Sequence, residues 1–439
     1  MNKPILSAML CVALATGALA GCADQQNAET ASASETEIVA VQESTTTEAE
    51  TQSATFTASV SAVEGGLVDA TELFTERDLT QEADTSGATT YTVESGKDIE
   101  ITEDGVYVLT GTAEDTTITV NAEDSAKVQL VLNGLNITNE SEAAIYVVSA
   151  DKVFITLADG TTNTLTTTGE FAADGDTNVD GVVFAKDDVV LNGTGTLVVN
   201  SSANGIVGKD DVKITGGTYE ITAENHAIQG KDSVAIADGT FTLQAGKDGI
   251  HAENSDDTTK GYVYIGGGIF QITAASDGIE GDAFVQIDSG AMSIDAGEGI
   301  EGTYVQVNGG AVNINASDDG INATSKATAY DIPTIEINDG TVTVTMGAGD
   351  TDALDANGNL YINGGTVDIT AQSPFDFDGE GRLNGGTVTV NGEQVTELTS
   401  QMMGGGQMGG GQMGGMGGGH MHGDMGGGQM GAMGATQNA

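Results

Sequence analysis

The sequence predicts an all-β chain folded as a right-handed parallel β-helix, a solenoid with coils of about 20–30 residues. Composition is the first reason: 439 residues hold 64 glycines, three prolines and no tryptophan, with Thr, Val and Ile abundant. That mixture favours strands joined by tight turns over helices. A repeated pattern is the second. Apolar-x-apolar-x-x-Gly recurs as VKITGG (212–217), VAIADG (234–239), VYIGGG (263–268), VQIDSG (285–290), VQVNGG (305–310), IEINDG (335–340) and LYINGG (360–365). Its final glycines, counted from Gly195 to Gly386, stand 22, 22, 29, 22, 20, 30, 25 and 21 residues apart. The third reason lies just beyond each glycine. A second alternating run (TYEITA, TFTLQA, IFQITA, AMSIDA, AVNINA) precedes a third short element centred on Ile206, Ile228, Ile250, Ile279, Ile300, Ile321 and Leu354. Three period-two runs per repeat, separated by Gly, Asn and Asp, read as three strands per coil. A leucine-rich repeat would need a Leu ladder that is missing. Right-handed coiling is expected from the usual crossover preference.

The chain divides into four segments. Residues 1–21 read as a lipoprotein signal: MNKP, an apolar run, then LAGC ending at Cys22, the expected lipidation site. The apolar run is too short to span a bilayer comfortably. With Cys11 removed in the signal, no intrachain disulfide remains. Residues 22–65, rich in Ala, Ser, Thr, Glu and Gln, read as a disordered tether. Residues 66–395 form the β-helix, with 66–190 as cap and irregular first coils, 191–395 as regular coils, and ELFTERDLT (72–80) expected over the open end. Residues 396–439, dominated by Gly, Met and Gln, read as a disordered tail.

A formal charge of −52 excludes nucleic acid, which needs Lys and Arg stripes. Cations, and polymers bridged by cations, are the natural partners. Contact with a membrane is expected only through the lipid anchor, on the outer face of a bacterial cell membrane.

The order TELFTERDLT, ITEDGVYVLTG, VQLVLNGLNIT, AAIYVVSADKVFITLADGTTNTL, then coils with DGI turns, resembles the bacterial cell-surface family of carbohydrate-binding-domain proteins. The resemblance covers about residues 66–395. It implies a right-handed β-helix, lipoprotein export, calcium held between coils, and affinity for cellulosic or uronate-containing polysaccharide; separately, the chain is expected to be a monomer.

Aligning the third elements yields two acidic columns. Two positions before the isoleucine stand Asn204, His226, Asp248, Asp277, Glu298, Asp319 and Asp352; one position after it stand Val207, Gln229, His251, Glu280, Glu301, Asn322 and Asp355. Stacked about 4.8 Å apart, like charges repel by about 0.9 kcal/mol in water and about 3.5 kcal/mol at an effective dielectric of 20. A divalent cation between rungs reverses that sign, and calcium, which takes six to eight oxygens in irregular geometry, suits such columns. The candidate ligands are Asp248, Asp277, Glu280, Asp282, Glu298, Glu301, Asp319, Asp352 and Asp355. Asp-Gly is also a favoured turn pair, and an acidic surface keeps an exported protein soluble.

The spacing singles out no catalytic pair, so the expected activity is binding without catalysis. A calcium-dependent, pectate-lyase-like polysaccharide lyase is the alternative; it needs a basic residue beside the metal, for which Lys247 is the candidate. A structural spacer or adhesin is a third reading. Tyr264 and Tyr361 share one outward column and are the candidate sugar-stacking residues.

Overall fold

The computed structural model describes residues 58–348 and 351–400. Within them the chain winds as a parallel β-helix. The strand register sorts every coil into three parallel stacks. The first contains Val212–Ile214, Val234–Ile236, Val263–Ile265, Val285–Ile287 and Val305–Val307 at matching positions. The second aligns Thr218–Ala223, Thr240–Ala245 and Ile269–Ala274 residue for residue. The third aligns Ile206, Ile228, Ile250, Ile279, Ile300, Ile321, Leu354 and Phe375. The predicted isoleucine column is therefore a physical ladder, extended one coil further by Phe375. An antiparallel hairpin, Thr387–Val390 with Glu393–Val395, ends the stack.

Strand alternation puts one set of side chains inside and leaves the other out. The inward set forms one continuous core in which the isoleucine column is fully buried. In the second stack Tyr219, Phe241 and Phe270 lie face to face, with ring centroids 5.1 and 4.6 Å apart. The repeat glycines turn the chain between the first and second stacks. Gly310 adopts φ +85°, and a Cβ there would lie 2.6 Å from the Gly290 carbonyl of the preceding coil. Both the left-handed backbone and the close approach demand glycine.

Residues 58–81 depart from expectation. The cap segment carries two short helices, α1 (Ala70–Leu73) and α2 (Glu76–Leu79), the second closed by a Thr75/Asp78 capping box. Instead of covering an open end, the segment runs as a strap along the outward face of the first stack. Arg77 sits 4.2 Å above the Phe154 ring and Phe74 packs beside Tyr264. Val68 N donates to Gln286 Oε1 (2.9 Å), and Gln306 Nε2 donates to the Gly65 carbonyl (3.0 Å). Phe154, Tyr264, Gln286 and Gln306 belong to one outward column, so the strap buries apolar surface that a solvated stack would expose.

The expected tether boundary also moves. Ala58 N donates to the Leu79 carbonyl, so residues 58–65 belong to the strap. At the other end Ser400 Oγ donates to Asp376 and accepts from Phe377 N, so the folded part passes the expected limit of 395. The signal segment, Cys22, the tether before residue 58 and the tail after residue 400 lie outside the described residues.

Gln81 pins the strap. Its Nε2 donates to the Leu79 and Thr215 carbonyls, and its Oε1 accepts from Gly193 N at 2.8 Å. Gln81→Ala is expected to cost about 1–3 kcal/mol, because it strands a buried Gly193 N–H and the Thr215 carbonyl. Denaturant titration checks this; an unchanged midpoint would mean that the Gln81 hydrogen bonds add nothing to stability.

Candidate metal centre

The outward side chains of the third stack build the site. Its strands Asp277–Ile287 and Glu298–Val307 pair in register, setting Asp277 beside Glu298 and Glu280 beside Glu301. One coil earlier, His251 pairs with Glu280. Gly278 and Gly299 permit the tight stacking: a Cβ on Gly278 would meet the Gly299 carbonyl at 2.6 Å.

Three overlapping sets result, each with ligand atoms within 4.8 Å of one another: His226, Asp248 and His251; Asp248, Asp277 and Glu280; Asp277, Glu298 and Glu301. His251 Nδ1 lies 2.8 Å from Glu280 Oε2 and 2.9 Å from Asp248 Oδ2. The His226 ring stacks on His251 with centroids 4.3 Å apart. Lys326 ion-pairs with both Glu280 and Glu301. Asn322 Nδ2 donates to Glu298 Oε2 (3.0 Å) and Glu301 Oε1 (3.3 Å), closing the cluster on its far side.

These partners divide the carboxylates. Burial opposes ionisation of Asp248, yet the two histidines and the Asp277 N–H hold its carboxyl well below the usual range. Burial likewise opposes Glu280, and His251 and Lys326 hold it down. His251 is disfavoured as a cation by burial, but Asp248 and Glu280 raise it to about 10. Asp277 has no such help: it is 6% exposed, and among the described residues nothing donates to its carboxylate. Burial first, then the charges of Asp248, Glu280, Glu301 and Glu298, push it up to about 8. Burial and Glu298 also lift Glu301 to about 7, against the pull of Lys326. An all-oxygen, buried, charge-starved carboxylate among four others fits a hard divalent cation.

Five of the nine predicted ligands thus converge: Asp248, Asp277, Glu280, Glu298 and Glu301. Asp282 stands beside the cluster without joining these sets; burial, then Glu280, raises it to about 6. Asp319 lies one coil onward and Asp352 and Asp355 two coils onward; Asp319 Oδ1 accepts from Asp352 N, and burial raises Asp355 to about 7. That second acidic group forms no set of three ligand atoms at the same spacing among the described residues.

Two expectations are corrected. Tyr264 and Tyr361 do share one column, but Gln286, Gln306 and Glu336 stand between them. Tyr264 is 1% exposed beneath the strap and donates to Asp288 Oδ2, so it is sealed from any polymer. Tyr361 stays accessible, with the Arg382 guanidinium 5.9 Å from its ring. Lys247 is exposed on the turn before Asp248, whereas the lysine seated in the cluster is Lys326. Lys326 enters from loop 324–333, which lengthens its coil, so no column alignment reveals it. The histidines are visible in the columns, but their sharing of Asp248 emerges only with the coils stacked.

A family model described as "Carbohydrate-binding domain-containing protein" matches residues 95–351. A protein of that description from Acetivibrio thermocellus is 39% identical over 206 residues, covering 46% of this chain and 72% of its own length. A solved structure, the polysaccharide lyase-like protein from C. thermocellum as a gadolinium derivative, shares 35% identity with a TM-score of 0.46. That match covers 48% of this chain and 92% of the other.

Proposed function

Because this chain belongs to the family of carbohydrate-binding domain-containing proteins, we propose that it binds uronate-containing polysaccharide through calcium, without catalysis, from a lipid anchor at Cys22. The observation that carries this reading is the buried carboxylate ladder around Asp277. Calcium bound there, held by Asp248, Asp277, Glu280, Glu298 and Glu301, would supply the positive charge that a chain of −52 otherwise lacks towards a uronate. His251 orients Asp248 and Glu280, and Asn322 orients Glu298 and Glu301. The anchor rests on the LAGC box alone.

Affinity electrophoresis in polygalacturonate tests the reading: migration is expected to slow with calcium and recover with chelator. Retardation undiminished by chelator would refute it. The raised carboxyls also impose a pH dependence. Asp277 at about 8 and Glu301 at about 7 hold protons that a cation must displace. Calcium affinity is therefore expected to rise about tenfold or more between about pH 6 and pH 8.5, with proton release on binding. Calorimetry in buffers of different ionisation enthalpy checks it; a flat profile would mean that neither group is displaced.

One observation favours elimination chemistry as a second reading: a lysine, Lys326, lies inside the carboxylate cluster. A lyase would use it as the base that removes the proton α to a uronate carboxylate, once the ammonium has left Glu280 and Glu301 and given its own proton to solvent. Unsaturated uronate appearing on incubation with polygalacturonate, and lost in Lys326→Gln, would establish that reading over simple binding.

A further inference from the structure

Lys326 is placed with more care than a surface counter-ion requires. Its loop, 324–333, is fixed at four points. The Lys326 and Ala327 N–H groups both donate to the fully buried Thr303 Oγ1, at 3.1 and 2.9 Å, and Thr303 Oγ1 donates to the Asp282 carbonyl. Ala327 is buried against Ala283 and Phe284. The Tyr330 ring packs 5.0 Å from Tyr304 and edge-on to Phe284. Thr328 Oγ1 meets Thr258 Oγ1 of loop 253–261 at 2.5 Å. The backbone is thereby held while four rotatable bonds carry the ammonium into the ladder, onto Glu280 and Glu301.

Those two carboxylates are also members of the sets around Asp277, so the ammonium and a divalent cation need the same oxygens. The ammonium reaches only Glu280 and Glu301, whereas a divalent ion seated in the sets that hold those two residues would also reach Asp277. We propose that Lys326 is a resident cation which competes with calcium for Glu280 and Glu301 and, once displaced, contacts the sugar carboxylate of the bound polymer. This rests on the calcium-bridged reading above. Its fixed backbone keeps the freed ammonium at the rim of the site, and side-chain rotation alone moves it. The protein would then present a second positive group to a uronate only when the cation is bound, which couples recognition of acidic sugar to calcium.

The test uses the full chain and two variants, Lys326→Gln and Lys326→Arg, with calcium alone and then polygalacturonate as probes in calorimetry. Lys326→Gln is expected to bind calcium about tenfold more tightly, since its competitor is gone, yet to bind polygalacturonate about tenfold more weakly at saturating calcium. Lys326→Arg is expected to keep polymer affinity, and methyl-esterified polymer is expected not to distinguish the variants. Calcium affinity in Lys326→Gln equal to or below wild type, or unchanged polymer affinity, overturns the proposal while leaving the calcium reading intact. Failure of the wild-type chain to bind calcium overturns both.

Discussion

Asp277→Asn is expected to stabilise the metal-free protein while abolishing most of its calcium binding. The carboxylate is buried, receives no hydrogen bond among the described residues, and faces four other acids. Its raised value near 8 means that the folded state holds a proton that the unfolded chain has lost by pH 7. Stability from this group therefore falls as pH rises from about 4 towards 8, and the amide removes that loss. A gain of about 1–2 kcal/mol is expected in chelator near pH 8, after allowing for relaxation of the site. Calcium affinity should fall about a hundredfold, since the central ligand shared by two of the sets is gone. Melting curves with and without calcium read both effects. A variant less stable than its parent in chelator would show that Asp277 is already compensated. His251 adds to the same pH trend: its contribution is complete below about 6.5 and is lost as pH rises towards 10. The depressed pair works in the opposite sense, for Asp248 and Glu280 contribute stability above the usual carboxylate range and lose it as pH falls.

Phe241→Ala should cost about 3–5 kcal/mol, the usual range for removing a buried aromatic side chain. Its ring lies between Tyr219 and Phe270, both parallel to it within 10°, so truncation leaves a gap between two coils. In a solenoid each repeat is held by its neighbours, and the damage is expected to stay local before it becomes global. Hydrogen exchange should show lost amide protection in strands Thr218–Ala223 and Ile269–Ala274 first. Uniform loss along the whole chain would contradict nearest-neighbour stabilisation.

These two positions also mark how far a sequence reading reaches. Phe241 and Asp277 are both legible because a solenoid turns a repeat into a column: aligning coils by their glycines places Phe241 over Phe270, and aligning the third elements by their isoleucines places Asp277 beside Glu298. What escapes is whatever departs from the repeat. The strap holds Gln286 and Gln306 from residues more than 200 positions away, and no periodicity connects Val68 or Gly65 to those coils. That is why ELFTERDLT is readable as a covering segment while the surface it covers is not, and why Tyr264 reads from sequence as available. Lys326 escapes for a related reason. It lies in an inserted loop and reaches Glu280 across 46 residues, so its partners depend on the path of an insertion. The convergence of five carboxylates, by contrast, needs only register.

The central claim is that the Asp277 ladder holds a divalent cation. Diffraction from crystals grown in calcium, collected at long wavelength for anomalous signal, tests it most directly. The expected result is an anomalous peak ligated by Asp277 together with neighbours from Asp248, Glu280, Glu298 and Glu301, with Lys326 turned away from Glu280 and Glu301. A ladder without such a peak at millimolar calcium, with Lys326 still paired to both glutamates, would contradict the account.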